Sequence, residues 1–559
     1  MSGGYQRARV DDISDHRPIA GDRVATSRGG GGVNVLLVSV DSLTRKFLTP
    51  YGEPTPPVDA RTPNLDRFAE RAAVFESHYA GSLPCMPARR EWLTGTQEFL
   101  WRPWGPIEPF DDPLPRVLRR NGTHAALVTD HFHYVQHGSG GYLEDYNAFE
   151  LVRGHEYDAW RSSPRDPDPD LLSQLVREPP EDAGEGGDFN LDEYTAGTDP
   201  RDLRYMNRAQ YARNVADFEA ETDFFAPKVF SRAAEWLRTT EWDDWFLYVD
   251  SFDVHEPFHV PEPYASMYTD EDPRDPDLTV WPYYGHVDEG RSELTDRELE
   301  FVRAQFAGNL TMVDEWFGRL LDALETRGLW SDTLVIVTTD HGHYLGEHGW
   351  VGKPTSAPLY DTLAHTPLLV WDPEGERNGE RVDALTSAVD LYATVLDAAD
   401  VPGADRDDRH SRSLRPLLRG EADIHRDWAL YGYWGSSVNV TDGTHTYLHP
   451  CDPEVDAAVH STTQMDAYGW FTPPEPKDAE VGSVPYADRP VWRFEAPSHA
   501  RQDDPMLFDV GADPGQRTDL AADRSEAVER MRGLLEAALG ELDAPAGQYE
   551  RLALDGRRG

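Results

Sequence analysis

The sequence predicts an α/β fold: a mostly parallel central sheet flanked by helices, with a smaller C-terminal α+β domain. Three observations predict it. Short, continuous apolar runs recur between residues 33 and 371, and each reads as a strand buried on both faces. Amphipathic helical stretches lie between them, the alternation that builds a parallel sheet. Past about residue 425 the pattern changes to hairpin-like strands and a last helix.

The elements follow in order. Residues 1–32 end in SRGGGG and read as a flexible polar arm. VNVLLVSV, 33–40, is the first strand, and Asp41 follows it. TPNLDRFAERAAVF, from Thr62, reads as an amphipathic helix with Leu65, Phe68, Ala69 and Ala72 on one face. HAALVT, 124–129, is a second strand, followed by DHFHY with His131 and His133. WFLYVDSF, from Trp245, is a third, followed by Asp253 and His255. TLVIVTT, 333–339, leads into Asp340 and His341, and TPLLVW, 366–371, is a fifth. Helical patterns at 218–238 and 294–326 lie between. The stretch 161–205 is acidic and rich in Pro and Gly, and reads as a solvated insertion. The predicted organisation is an arm at 1–32, a catalytic domain at 33–425, a C-terminal subdomain at 426–545 with a turn at Asp442-Gly443, and a tail at 546–559.

In open α/β sheets the site lies at the carboxyl ends of the strands. Four strand ends here carry Asp41, Asp130/His131, Asp253/His255 and Asp340/His341. One such Asp is an ordinary cap or turn residue. Four of them, on ends that should converge on one edge, point to a cluster.

Composition narrows the partners. The net charge is −48, a surface that repels nucleic acid and anionic membranes. The only lysines are Lys46, Lys228, Lys353 and Lys477, and the rest of the 53 basic residues are arginines. So acidic and lysine-poor a chain reads as one from a salt-loving organism, where salt screens self-repulsion. With 16 Trp, 24 Tyr and 21 Phe it is not an acidic disordered protein. The sequence has no run long and apolar enough for a membrane span and no apolar segment near its start, so the expected location is cytoplasmic. Two cysteines, Cys85 and Cys451, make no disulfide framework.

Cys85 lies in LPCMPARREWLTG, 83–95. Pro87 is preset for a first helical turn, so Cys85 should sit at a helix N-terminus. Backbone N–H groups there favour a thiolate or a tetrahedral anion. Arg89, one turn on, adds a permanent charge.

The tract C-M-P-A-R-R-E-W-L-T-G resembles the signature of the sulfatase family, C-x-P-x-R followed by T-G, with Cys85, Pro87, Arg89, Thr94 and Gly95 in place. Met86 stands where a small residue is usual. The resemblance extends along most of the chain: NVLLVSVDSL, SFDVHEPFHVPEPY, TTDHGHYLGEHGWVGK and MLFDVGADPGQRTDLA follow in family order. It implies an alkaline-phosphatase-like fold and hydrolysis of sulfate esters of small molecules or glycans. It implies that a maturation enzyme oxidises Cys85 to formylglycine, whose hydrate is the nucleophile. It implies one divalent cation, Ca²⁺ before Mn²⁺ or Mg²⁺, held by Asp41, Asp340, His341 and residue 85, with Ser42 a weaker candidate. Arg89, Lys353 and His255 become the sulfate and leaving-group contacts. His131 and His133 stand where the family often has a K-x-H pair. Asp-His at 340–341 resembles choline-sulfatase and phosphonate monoester hydrolase relatives. A site for an anion on so acidic a chain is expected to be a local positive island. The aromatic tract WRPWGPIEPF, 101–110, either shapes the pocket mouth or packs. Three other readings stay open: a phosphonate monoester or phosphodiester hydrolase on the same scaffold, a non-catalytic binder of sulfated glycan, and a plain cysteine hydrolase.

Overall fold

The computed structural model describes residues 32–52, 58–136, 139–162, 167–176, 208–403, 409–463, 479–487 and 489–554. Its centre is an eight-stranded sheet. The strands are β1 (Asn34–Val40), β2 (Ala73–Phe75), β3 (His124–Thr129), β4 (Ala148–Leu151), β5 (Trp245–Ser251), β6 (Thr333–Thr338), β7 (Leu368–Trp371) and β8 (Arg381–Val382). Their order across the sheet is β8-β2-β7-β6-β1-β5-β3-β4. The block β6-β1-β5-β3-β4 is parallel throughout, and β7 runs antiparallel to β6 and β2.

The runs are apolar at successive positions because both faces are covered. Leu36, Val38, Val40, Leu247, Val249, Val335 and Val337 face one core with the helices Phe225–Thr239 and Asp296–Arg327. Val35, Leu37, Ala125, Leu127, Phe246, Leu334 and Ile336 face the other, against the helices Cys85–Thr94 and Asp390–Ala398. The strand period of two divides each run between the layers. Each aliphatic side chain so buried contributes roughly 1.5–3 kcal/mol. The helix Asp296–Arg327 is fixed at both ends. Thr295 and Glu298 form a reciprocal capping box, and Gly328 ends the helix in the left-handed region at φ 64°.

Two local expectations change. The stretch from Thr62 is helical only over Pro63–Ala69. Its last residues form β2, because the apolar A-V-F gains ladder partners at Leu369, Val370, Arg381 and Val382. Of the acidic stretch 161–205, the described residues include a helix, Pro169–Leu175, capped by Asp168 and burying Leu175; residues 163–166 and 177–205 lie outside the described residues, as does the arm up to residue 31.

The C-terminal region is α+β. Ala429–Tyr433, Val438–Thr441, His445–His449 and Met506–Asp509 form an antiparallel sheet, with the predicted turn at Asp442-Gly443. A three-stranded sheet and the helix Ser525–Glu541 pack beside it. Residues 546–559, expected as a tail, include a helix, Ala546–Arg551, that buries Gln548 and Arg551. The edge of the larger sheet is completed by Ser82–Leu83, which pairs in parallel with Gly432 and Tyr433. The C-terminal region therefore holds the segment that enters Cys85. Both cysteines are free, and no described helix is long and apolar enough to cross a membrane.

Two expected outcomes follow from this packing. Gly308 lies on the long helix where a Cβ would come within 2.5 Å of the Tyr264 carbonyl oxygen. Alanine is the better helix former by about 1 kcal/mol, yet Gly308→Ala should lower the melting temperature by overpacking, at a cost of about 1–3 kcal/mol. Thermal unfolding followed by circular dichroism measures it.

Glu91, on the helix Cys85–Thr94, accepts hydrogen bonds at Oε2 from Ser82 N (2.7 Å) and Ser82 Oγ (2.5 Å), and its Oε1 has no partner. Burial pushes its carboxyl up from 4.5 to about 8. The folded chain thus holds a proton that the unfolded chain releases. This contribution is complete below the ordinary glutamate range and is lost as pH rises through about 8, at up to ~1.4 kcal/mol per pH unit. Glu91→Gln should flatten the decline of melting temperature with pH over that window, and an unchanged slope would contradict the assignment.

Candidate active site

Cys85 is the first residue of a buried ten-residue helix, Cys85–Thr94, ended by Gly95 in the left-handed region. It is entered from the strand Ser82–Leu83, which Glu91 ties to the helix through Ser82. The first N–H groups of the helix and its positive end therefore surround Cys85.

Arg89 lies one turn further and is wholly buried. Its Nε and Nη2 donate to Asp250 Oδ2 and Oδ1 (2.9 and 2.8 Å), and its Nη1 donates to Asp340 Oδ2 (2.7 Å) and the Cys85 carbonyl (3.1 Å). Nη2 also lies 3.0 Å from Asp41 Oδ2. Asp250 is itself held by Ser39 Oγ (2.5 Å) and the Tyr134 hydroxyl (2.8 Å). Sequence reasoning missed Asp250. Its signal is a carboxylate inside a strand otherwise buried on both faces, which must have a cationic partner.

After β1 the chain turns sharply, with Ser42 at φ 60°. Ser42 N donates to Asp340 Oδ1 (3.1 Å) and Ser42 Oγ to Asp41 Oδ1 (2.8 Å). Lys353 Nζ donates to the same Ser42 Oγ (3.2 Å), so Ser42 joins the lysine to Asp41. After β6, His341 directs Nδ1 at the Gly342 carbonyl (2.9 Å), which leaves Nε2 3.3 Å from Cys85 Sγ. Gly342 is required here, because a Cβ would stand 1.9 Å from the Thr362 carbonyl oxygen.

One ligand atom from each of Asp41, Cys85, Asp340 and His341 lies within 4.8 Å of the others. Two carboxylates, a free imidazole nitrogen and residue 85 make a donor set that fits a divalent cation. Asp41 Oδ2 supports the fit: it is buried, and Arg89 Nη2 at 3.0 Å and His131 Nε2 at 3.3 Å face it without the angle of a hydrogen bond.

The electrostatics follow from burial and crowded carboxylates. Burial and the Asp340 charge push Asp41 well up. Burial works against Asp340 too, but the His341 and Arg89 charges outweigh it and hold its carboxyl well below the usual range. Burial, then Asp41 and Asp340, push the Cys85 thiol well up. The helix N-terminus was expected to favour a thiolate; the carboxylates around it reverse that. Burial lowers His341 to about 4, so the sulfur keeps its proton.

The remaining predicted residues lie around this centre. His131 Nε2 stands 3.3 Å from Asp41 Oδ2. His133 has its ring 4.9 Å from that of His131 and faces Glu156 Oε2 at 3.2 Å, with Trp104 of the aromatic tract against its edge. The rest of that tract packs, with Trp101 and Phe110 in the C-terminal core. His255 directs Nδ1 at the Glu256 carbonyl (2.8 Å) and stacks on Phe252. Glu256 Oε2 lies 3.7 Å from Lys353 Nζ and 3.6 Å from His343 Nδ1, and Glu256 Oε1 accepts from the Tyr284 hydroxyl. Burial holds His131, His133 and His255 well below the ordinary histidine value. Burial alone would lower Lys353, but the Glu256 charge outweighs it and keeps the ammonium protonated.

The side chains alone do not make the expected positive island, which counts on the cation and the helix N-terminus as well. The histidines are neutral, and Arg89 and Lys353 share the site with Asp41, Asp250, Asp340, Glu156 and Glu256. Glu156 and Glu256 were missed as well; nothing in their spacing marks them. The four strand ends meet at one edge, with His131 3.3 Å from Asp41, but not all of their acids join the Cys85 group. Asp130 and Asp253 group instead with His155.

The sequence profile of the sulfatase family matches residues 33–401. The multifunctional alkaline phosphatase superfamily protein PehA of Trinickia caryophylli is 26% identical over 429 residues, covering 69% of this chain and 77% of that one. Arylsulfatase K of Gallus gallus is 23% identical over 542 residues, covering 90% and 81%. The crystal structure of the phosphonate monoester hydrolase of Agrobacterium radiobacter superposes with a TM-score of 0.59 at 22% identity, over 91% of this chain and 95% of that one. With the profile matched across β1 to β8 and the helix of Cys85, the chain belongs to the sulfatase family.

Proposed function

We propose that this chain hydrolyses sulfate esters through a formylglycine made from Cys85, with one divalent cation, Ca²⁺ foremost and Mn²⁺ or Mg²⁺ as alternatives. The observation that carries the reading is the place of Cys85: first residue of a buried helix, 3.3 Å from His341 Nε2 and grouped with Asp41 and Asp340. The thiol is an unsuitable nucleophile there, since its proton is held on sulfur. A maturation enzyme that oxidises Cys85 to the aldehyde, before the segment is buried, removes that obstacle.

The hydrated aldehyde is a geminal diol. One hydroxyl would lose its proton to solvent and attack sulfur through that oxygen as the S–O bond to the alcohol breaks, and the departing alkoxide would take its proton from His255. The second hydroxyl then gives up its proton, the carbon–sulfate bond breaks, sulfate departs and the aldehyde returns for rehydration. This divides one difficult step into two. The cation supplies polarisation of the sulfate oxygens and acidifies the diol. Arg89, anchored on Asp250, fixes Asp41 and Asp340, which with His341 would hold that cation. Lys353, kept protonated, offers charge to the departing oxygen. His255 is neutral in the free protein, and an anionic substrate beside it favours its imidazolium, which then protonates the alkoxide. His131, beside Asp41, and His133, beside His131 and Glu156, orient the bound ester.

A second reading, hydrolysis of phosphonate monoesters or phosphodiesters, is favoured by the similarity to PehA, named as multifunctional. Both ester classes present a tetrahedral anion to the same groups. Relative kcat/KM on aryl sulfate and aryl phosphonate ranks the two.

The decisive measurement is the mass of the tryptic peptide of residues 72–89 from active protein. The expected form of residue 85 is the aldehyde or its hydrate. An alkylatable cysteine in active enzyme would overturn the mechanism. A kinetic outcome concerns Lys353. Lys353→Ala should cost roughly 10²-fold or more in kcat on alkyl sulfates, and much less on aryl sulfates with good leaving groups. An equal loss on both series would remove Lys353 from leaving-group departure.

A further inference from the structure

A second cluster adjoins the candidate site: His155 packs on Phe252, against which His131 and His255 also lie. Asp130 precedes His131, His155 precedes Glu156, and Asp253 stands two before His255. Asp130, His155 and Asp253 each place one ligand atom within 4.8 Å of the others. His155 Nε2 is 3.3 Å from Asp253 Oδ1. All three are at most 4% exposed, among Phe225, Phe252 and Tyr211. None is used in the chemistry above.

The cluster has backbone support and open coordination. Phe252 N donates to Asp130 Oδ1 (2.7 Å), and Ala226 N donates to Asp253 Oδ2 (3.0 Å). Asn309, from the long helix, donates through Nδ2 to Asp253 Oδ1 (3.0 Å) and is fully buried. Three buried atoms then have no hydrogen-bond partner: Asp130 Oδ2, His155 Nδ1 and Asn309 Oδ1. Two of them are acceptor oxygens to which no described residue donates.

We propose that Asp130, His155 and Asp253, with the Asn309 amide, form a second divalent-cation site. Two carboxylates and an imidazole, with a carbonyl oxygen available, suit Zn²⁺ or Mn²⁺. The backbone donors at Phe252 and Ala226 orient the carboxylates as outer-shell partners do. Without a cation the cluster balances its charge with protons: burial pushes Asp130 up to about 7, and His155 is raised against burial by its hydrogen bond to Asp253. A bound cation replaces those protons. It would tie the loops after β3 and β5 to the segment around His155 and so position His131, Glu156 and His255. The role is positioning, since none of the four residues touches the reacting atoms.

The test is a metal count that does not depend on activity. The chain is stripped with chelator, dialysed against Zn²⁺ and assayed by mass spectrometry for zinc per chain, with circular dichroism to confirm folding. Asp340→Asn, with the first site disabled, should still hold one equivalent, and Asp340→Asn with His155→Gln none. No zinc in folded Asp340→Asn, or an unchanged count when His155→Gln is added to it, overturns the proposal. Because a variant can fail to fold, wild-type crystals grown with Zn²⁺ give an independent reading. An anomalous peak amid Asp130, His155 and Asp253 supports the site; a proton-shared contact or a water there overturns it, whatever is found at Asp41.

Discussion

The site rests on one guanidinium among three carboxylates. Arg89 is fully buried and reaches Asp41, Asp250 and Asp340 at 2.7–3.0 Å. Those acids come from or just after β1, β5 and β6, neighbouring parallel strands whose carboxyl ends necessarily coincide. Without Arg89 they would repel one another in a low-dielectric setting, and breaking such a buried set costs about 3–5 kcal/mol. The fork of Arg89 also fixes geometry: two donors on Asp250 leave Nη1 for Asp340. A lysine would supply charge without that division.

The C-terminal region is part of this arrangement rather than an appendage. Ser82–Leu83 is an edge strand of its sheet, and two residues later Cys85 begins its helix. The sheet thereby sets where the helix starts. Glu91 closes the same joint from inside the helix. The position of residue 85 relative to Asp41 and Asp340 is thus decided by two layers at once, the central sheet and the C-terminal sheet.

Much of the fold was legible because the sheet is parallel and covered on both faces. VNVLLVSV, HAALVT and TLVIVTT are nearly uniform in apolarity, and such runs have few alternatives. The antiparallel course of β7 was not legible, since an apolar run has no direction. Nor was β2, whose three residues continue a helical pattern and become a strand only through partners far along the chain. In the candidate site, Asp41, Cys85, Asp340 and His341 come together from ends that the strand pattern exposes. Asp250 lay inside a run read as apolar, and Glu156 and Glu256 face the site through loop geometry that spacing does not encode. Asp130 and Asp253 carried the same strand-end signal as Asp41, yet they group with His155. A strand end brings a residue to the right edge, and the following turn decides which cluster it joins.

The charge of the site is the consequence with most bearing on chemistry. A chain of net charge −48 handles an anion here with only two permanently cationic side chains, Arg89 and Lys353. Arg89 is already spent on three carboxylates, and Lys353 faces Glu256. Burial removes the histidines as cations. It also pushes Asp41 and Glu156 up, which takes negative charge away. The result is near balance rather than a positive island. Attraction of a tetrahedral anion then falls to the N-terminus of the Cys85 helix and, under the proposed function, to the cation that Asp41, Asp340 and His341 would hold. Both are short-ranged, so they act on a substrate that has already entered. In a balanced, dry site each added proton or ion changes the field felt by residue 85 far more than it would in water.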